Sequence, residues 1–238
     1  FNLSGENKLE EAATLYSRAL KKDLSNPEIM RAAGLFATHI GKLDAAVRLL
    51  RYALAIDPLC HQCRRDYAIA LMYSGDYEKA QWEFERFMTA ADELPQRMVE
   101  ILLLREKPDE ALEFIASADR TTEYAEIALR AGRALALHSL GQADEAEVVV
   151  QELNLSAFDD QRYLKLLLTE IAAWRGNKDL AFENLFEMAE TRYQLLHRQT
   201  FSPIWQNLHD DPRWVEYLKY TGMTSERLDA IKFDPDLP

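Results

Sequence analysis

Apolar residues recur three and four positions apart along most of this chain, the spacing that puts them on one face of a helix. Leu43, Val47, Leu50 and Leu54 make such a stripe, and Asp44, Arg48 and Arg51 fall on the opposite face. An apolar face around Gly34 precedes that helix, with a turn at Gly41 between them and a stop at Asp57-Pro58 after them. Residues Pro27 to Cys60 therefore read as one helical hairpin. Small residues at Gly34, Ala46 and Ala53 let its two helices approach closely. Upstream, Leu9 to Lys22 carries its own stripe, through Ala12, Leu15, Tyr16, Ala19 and Leu20.

The hairpin repeats. Gly75 follows Gly41 by 34 residues, and Ala12, Ala46 and Ala80 are separated by the same interval. A period of this length is the mark of stacked helix pairs, because one hairpin cannot bury its apolar faces alone. From Ala80 to Ala111 the interval is 31, so a third hairpin, opened by Pro95 and continued from Pro108, is expected to be shorter by about one turn. Thr121 and Thr122 offer caps for a helix through Ser139, Gly141 marks the next turn, and Ala143 to Leu153 the returning helix. A further pair runs from about Asp159 to Trp174, turns at Gly176 and resumes at Asp179; Gly141 to Gly176 and Ala146 to Ala181 are both 35 residues. Residues 1–199 thus read as a half repeat and about five hairpins.

The pattern breaks at 200–238. Phe201, Ile204, Trp205 and Leu208 form an apolar cluster, Asp211-Pro212 opens a helix with Trp214, Tyr217 and Leu218, Gly222 ends it, and Thr224 caps a short last helix. This segment is expected to cover the exposed seam of the last hairpin.

Gly34, Gly41, Ala46, Ala53 and Pro58 stand where the tetratricopeptide repeat has its glycine, turn, two alanines and proline, and Tyr67, Ala68, Gly75, Tyr77, Ala80 and Phe84 fit the next repeat. The chain resembles that family. The resemblance implies an all-α fold, a right-handed solenoid of helical hairpins with a helical cap, whose first helices line a concave face. The stretch Gly176, Asp179, Ala181-Phe182, Leu185 and Ala189, followed by Phe201, Leu208, Asp211-Pro212-Arg213-Trp214 and Leu218, is similar to the closing segment of bacterial tetratricopeptide proteins fused to a winged-helix regulator or nucleotide cyclase domain. It implies the C-terminal domain of a larger regulatory or signalling protein, with residues 1–8 a remnant of a cut repeat or linker.

Composition narrows the partner. A formal charge of -12 lacks the dense basic surface of a nucleic-acid binder. No apolar run approaches the roughly 20 residues that span a bilayer. Neither direct nucleic-acid binding nor membrane insertion is expected. Eight glycines and eight prolines, mostly at helix ends, agree with an all-helical chain.

Projected onto the concave face that the resemblance implies, the first helices offer Arg31, Leu35, Arg65, Ile69, Tyr73, His138, Tyr163, Leu166 and Trp174 as partner-binding residues. Arg31 and Arg65, at one position of adjacent repeats, would attract an acidic group of a peptide or protein partner. Leu35 and Ala128 stand where chaperone-binding members of the family carry polar residues, which argues against a chaperone-tail clamp. Self-association through an exposed end seam is the alternative, and a concentration-independent monomer would remove it.

Cys60-His61-Gln62-Cys63 could bind a metal or form a redox pair at a helix start. Structural zinc usually needs four ligands, and no second cysteine pair exists. Packed, unpaired cysteines at a hairpin join are the expectation, and an enzyme or metal site at Cys60 and Cys63 the remaining alternative. No glycine-rich phosphate loop, paired-His motif or serine elbow occurs. The sequence thus gives no reason to expect a catalytic residue, metal or cofactor. The compartment stays open between the cytoplasm and the periplasmic part of a membrane-anchored regulator, where the two cysteines could oxidise.

Overall fold

A glycine whose backbone turns left-handed ends the first helix of four hairpins, at Gly41, Gly75, Gly141 and Gly176 (φ +70°, +87°, +76° and +74°). At Gly41 the turn is closed by two backbone bonds, from Gly41 N–H to Thr38 O and from Lys42 N–H to Ala37 O. The other turns repeat both bonds in register. They satisfy carbonyls that a helix end leaves open, and they aim the next helix back along the first.

These turns sit in a computed structural model that describes residues 8–87, 95–118, 120, 122–191 and 200–237. The segment 1–7 and Thr121, both given roles above, lie outside the described residues. Every regular element among the described residues is a helix. The first eleven helices are α1 Lys8–Lys22, α2 Pro27–His39, α3 Leu43–Ile56, α4 His61–Tyr73, α5 Tyr77–Phe87, α6 Pro95–Leu104, α7 Pro108–Ser117, α8 Glu123–Ser139, α9 Ala143–Asn154, α10 Gln161–Trp174 and α11 Lys178–Glu190. A 3₁₀ turn Pro203–Leu208, α12 Pro212–Thr221 and α13 Ser225–Ala230 follow. Asn26, Thr122, Asp160, Asn177 and Thr224 cap helix starts through side-chain oxygens. No described helix is long and apolar enough to cross a membrane.

The third hairpin makes the same turn without glycine. Glu106 takes the left-handed conformation (φ +59°), with Glu106 N–H bonded to Leu103 O and Lys107 N–H to Leu102 O. A side chain with a Cβ is strained there. Glu106→Gly is expected to stabilise the protein by about 1 kcal/mol, read as a higher urea midpoint; no gain would mean the turn carries no strain.

The chain forms two compact units. The first contains α1 to α5, with residues up to Ser202 that precede the 3₁₀ turn and the chain from Val215 onward. Within it α2 packs on α1, α3 and α4, and α4 on α3 and α5. Gly34 is the point of closest approach in the first full hairpin, where an added Cβ would lie 2.5 Å from Leu50 Cγ. The buried stripe of α3 is Ala45, Ala46, Leu49, Leu50 and Ala53. Of the expected stripe only Leu50 is fully buried, and Leu43, Val47 and Leu54 are half-buried. Helices that cross this closely put their small residues at the centre, so the larger ones flank it. Asp44, Arg48 and Arg51 are exposed as expected.

The last part of the chain completes the first unit. Arg227 of α13 grips the Glu10 carboxylate of α1 through Nε and Nη2, both at 3.2 Å, and holds that carboxyl below its usual range. Ile231 and Phe233 are buried; the Phe233 ring meets Phe36 edge-on at 5.2 Å, and Phe36 stacks at a tilt on Tyr16 at 5.1 Å. Arg48 pairs with Asp234. A cleft of about 1010 Å³ runs between this tail, α1 and α3. Phe201 lies against Gly41.

The second unit contains α6 to α11, the 3₁₀ turn and the opening of α12 up to Trp214. Helix α8 packs on α6, α7, α9 and α10, and α10 on α11 and the 3₁₀ turn. Asn207 of that turn donates to the carbonyls of Ala173 and Trp174 at the end of α10, and Arg213 bonds Asp179 while lying over the Phe182 ring. Residues 203–214 thus pack on α10 and α11, and residues 215–237 belong to the first unit.

Candidate partner-binding surface

Helices α2 and α4, neighbours in the first unit, carry the first five expected site residues. Arg31 and Arg65 converge, but on a carboxylate of the chain itself. Asp66, whose side chain is 2% exposed, accepts from Arg31 Nη1 at 3.0 Å through Oδ2 and from Arg65 Nε and Nη2 at 3.1 and 3.0 Å through Oδ1. Arg31 also bonds the exposed Glu28 at 3.1 Å. The arginine side chains keep 18% and 32% exposure, so both stay partly open to solvent while Asp66 anchors their guanidiniums. Leu35 and Ile69 are half-buried, and Tyr73 is buried.

In the second unit the expected residues divide. Leu166 is fully buried in α10 and belongs to the core. Tyr163 is buried, with its hydroxyl accepting from Gln96 Nε2 at 3.2 Å, and its ring tilts against Tyr124 at 5.3 Å. His138 and Trp174 are half-buried near the turns. Trp174 Nε1 donates to Ser139 Oγ at 2.9 Å, and the ring lines a cleft of about 350 Å³ with Leu103, Glu106 and Asn207. Burial and the Arg175 charge lower the His138 pKa, so the imidazole is neutral near neutrality.

Beside Tyr163 lies a charged cluster that the sequence did not announce. Arg97 of α6 donates to Glu100 Oε2 at 2.5 Å, and Glu170 of α10 is buried beside them, with none of the three more than 5% exposed. Among the described residues, Glu100 Oε1 and Gln96 Oε1 have no hydrogen-bond partner. Burial and the negative charge of Glu100 push the Glu170 carboxyl up to about 8, against the pull of Arg97. Burial likewise raises Glu100. The pair holds a proton that ordinary carboxylates would release. Among the described residues no group of three His, Cys, Asp or Glu is placed to hold a metal.

Cys60 and Cys63 form a disulfide, which corrects the expectation of packed, unpaired thiols. Cys60 is the N-cap of α4, its sulfur accepting from Cys63 N–H at 3.1 Å, so the first helical turn itself brings the two side chains together.

One signal could have found the buried charges. Asp66 lies inside the apolar arc of Cys63, Tyr67 and Ala70, and Glu170 inside that of Tyr163, Leu167, Ile171 and Ala173. A charge in the middle of an apolar arc needs a partner.

By its fold the chain is an all-helical protein of packed hairpins. It matches no family model, and no curated protein is significantly similar to it.

Proposed function

We propose that the chain is a non-catalytic interaction module: a right-handed solenoid of tetratricopeptide-like hairpins, the C-terminal domain of a bacterial regulatory or signalling protein. Its partner is a peptide or protein segment held across the first helices of the hairpins. The observation that carries this reading is the neighbouring of first helices, α2 with α4 in one unit, and α6 with α8 and α8 with α10 in the other, each hairpin closed by the same turn. That arrangement gives each unit a row of helices on which a segment can lie. On α2 and α4 the row offers half-buried Leu35 and Ile69 beside the outward parts of Arg31 and Arg65. A segment with one apolar anchor and one nearby carboxylate fits these groups. Because Asp66 and Glu28 already offset much of the arginine charge, the apolar contacts contribute most of the affinity. The Cys60–Cys63 disulfide supports the branch of the reading in which the domain works in an oxidising compartment.

Affinity capture from the source lysate, comparing the parent with a Leu35→Ser/Ile69→Ser variant, tests the surface. A partner retained by the parent should fall by roughly tenfold or more on the variant. An unchanged set of captured proteins would remove this face from consideration.

A further inference from the structure

The two cysteines are bonded to each other but differ in access. Cys63 is wholly buried on α4, whereas Cys60 is half-buried at its N-cap. Of the two residues, only Cys60 is open to a thiolate arriving from solvent. Disulfides break by such an attack, at a rate set by which sulfur is reachable and by how well the departing thiolate is stabilised.

The surroundings favour the thiolate form of Cys60, the sulfur that departs when a mixed disulfide on it is resolved. Cys60 Sγ already accepts Cys63 N–H at 3.1 Å, and that donor, with the partial positive charge of a 13-residue helix, stays in place when the bond opens. The first turn of α4 carries no carboxylate. Arg64 Nη2 donates to Pro58 O at 3.1 Å, which sets a guanidinium at the turn carrying Cys60, though its Nη1 is shared with Glu83 at 2.7 Å. Asp57 is the acidic residue of that turn, and its Oδ1 accepts Leu59 N–H at 3.0 Å. The rest of α4 is held by Tyr67, Ala68, Ala70, Leu71 and Met72, all buried, so the helix does not depend on the disulfide. A loop closed over three residues of sequence separation also contributes least to the fold.

We propose that Cys60–Cys63 is a thiol–disulfide exchange site whose substrates are low-molecular-weight thiols, with Cys60 the attacked sulfur and Cys63 the resolving one. An external thiolate attacks Cys60 Sγ, the sulfur–sulfur bond breaks, and Cys63 leaves as a thiolate that takes a proton from water. A second thiol, as thiolate, attacks the external sulfur of the mixed disulfide and releases Cys60 as a thiolate, which takes the second proton from water. Two external thiols are oxidised to one disulfide, and the protein gains two electrons and two protons. Closure runs the same steps backward. Arg65 and Asp66 follow Cys63 by two and three residues, which puts the exchanging bond within one helical turn of the Arg31–Asp66–Arg65 cluster. The inference adds chemistry to the domain and does not depend on its being an interaction module.

The test uses the whole chain and glutathione. Protein is equilibrated with graded ratios of reduced to oxidised glutathione, quenched with acid, alkylated and weighed, with circular dichroism recorded in parallel. The expected result is a reversible two-electron transition with unchanged helical content. In the Cys63→Ser variant a glutathione adduct should accumulate on Cys60, whereas in Cys60→Ser the remaining thiol should react more slowly, by roughly tenfold or more. A bond that resists excess reduced glutathione until denaturant unfolds the protein would overturn the proposal, and so would equal reactivity of the two cysteines. The parent titration decides the matter even if a variant fails to fold.

Discussion

At about pH 9 the Glu170→Gln protein is expected to be more stable than the parent, by an amount on the order of a few kcal/mol. Glu170 lies in the second unit, 3% exposed, with Glu100 and Arg97 beside it. Its carboxyl titrates at about 8 in the folded protein, against an ordinary 4.5. The folded value exceeds the unfolded one, so between those values the folded state keeps a proton that the unfolded state has lost. Stability from this group is therefore fullest below the ordinary carboxylate range and falls as pH rises towards about 8. Glutamine keeps a donor where the protonated carboxyl has one, and it cannot ionise. Because Glu100 shares the site, the two carboxyls titrate as a pair, and the variant also relieves Glu100 of its neighbour's charge. Urea unfolding of both proteins at about pH 6 and pH 9 checks this. The parent should lose stability across the interval and the variant much less. Parallel pH dependence would show that Glu170 does not carry the effect.

Changing Arg31 and Arg65 together to Ala is expected to destabilise the protein by about 3 kcal/mol, before any partner is considered. Asp66 has a side-chain exposure of 2%, and its oxygens are spent on these two guanidiniums. Removing them leaves a buried carboxylate uncompensated. Adding Asp66→Asn should recover most of the loss, because the amide carries no charge to desolvate. Urea midpoints of the parent, the double variant and the triple variant form the test. A triple variant no more stable than the double would mean that the arginines act by packing alone. The same series bears on partner binding: an affinity lost by the double and restored in the triple reflects folding, whereas one lost by both reflects the guanidiniums.

The hairpins are legible in the sequence because two requirements of a tight helical turn leave few choices of residue. The turn needs a left-handed backbone, met by Gly41, Gly75, Gly141 and Gly176, and the crossing needs small residues, met by Gly34, Ala46, Ala53 and Ala80. Where Glu106 takes the turn, the glycine signal vanishes, and the third hairpin is correspondingly faint. In α3 the small residues Ala46 and Ala53 mark the buried centre as expected, whereas the stripe of large residues marks it only at Leu50 and misses Ala45 and Leu49. Among the candidate site residues, the shared register of Arg31 and Arg65 reveals the pair but not the Asp66 carboxylate between them. The bond from Arg31 to Asp66 spans 35 positions, a separation that no local pattern reveals. Tyr73, Tyr163 and Leu166 fall on the projected concave face and yet are buried, since a face inferred from one helix ignores what packs against it. The disulfide is not singled out either, because cysteines three apart suit a packed helix start as well as a bonded one.

Glu10 is met by Arg227, 217 residues later in the chain. At ordinary rates of translation, roughly 10–40 s separate the emergence of the two from the ribosome. Through that interval Phe36 lacks Phe233 and the surface of α1 lacks its cover. Hairpins made of local contacts can form as they emerge, but the first unit, begun before the second, closes after it. A nascent chain of this protein therefore presents α1 and α2 uncovered, and folding of the first unit finishes only once the segment around Arg227 and Phe233 has cleared the ribosome.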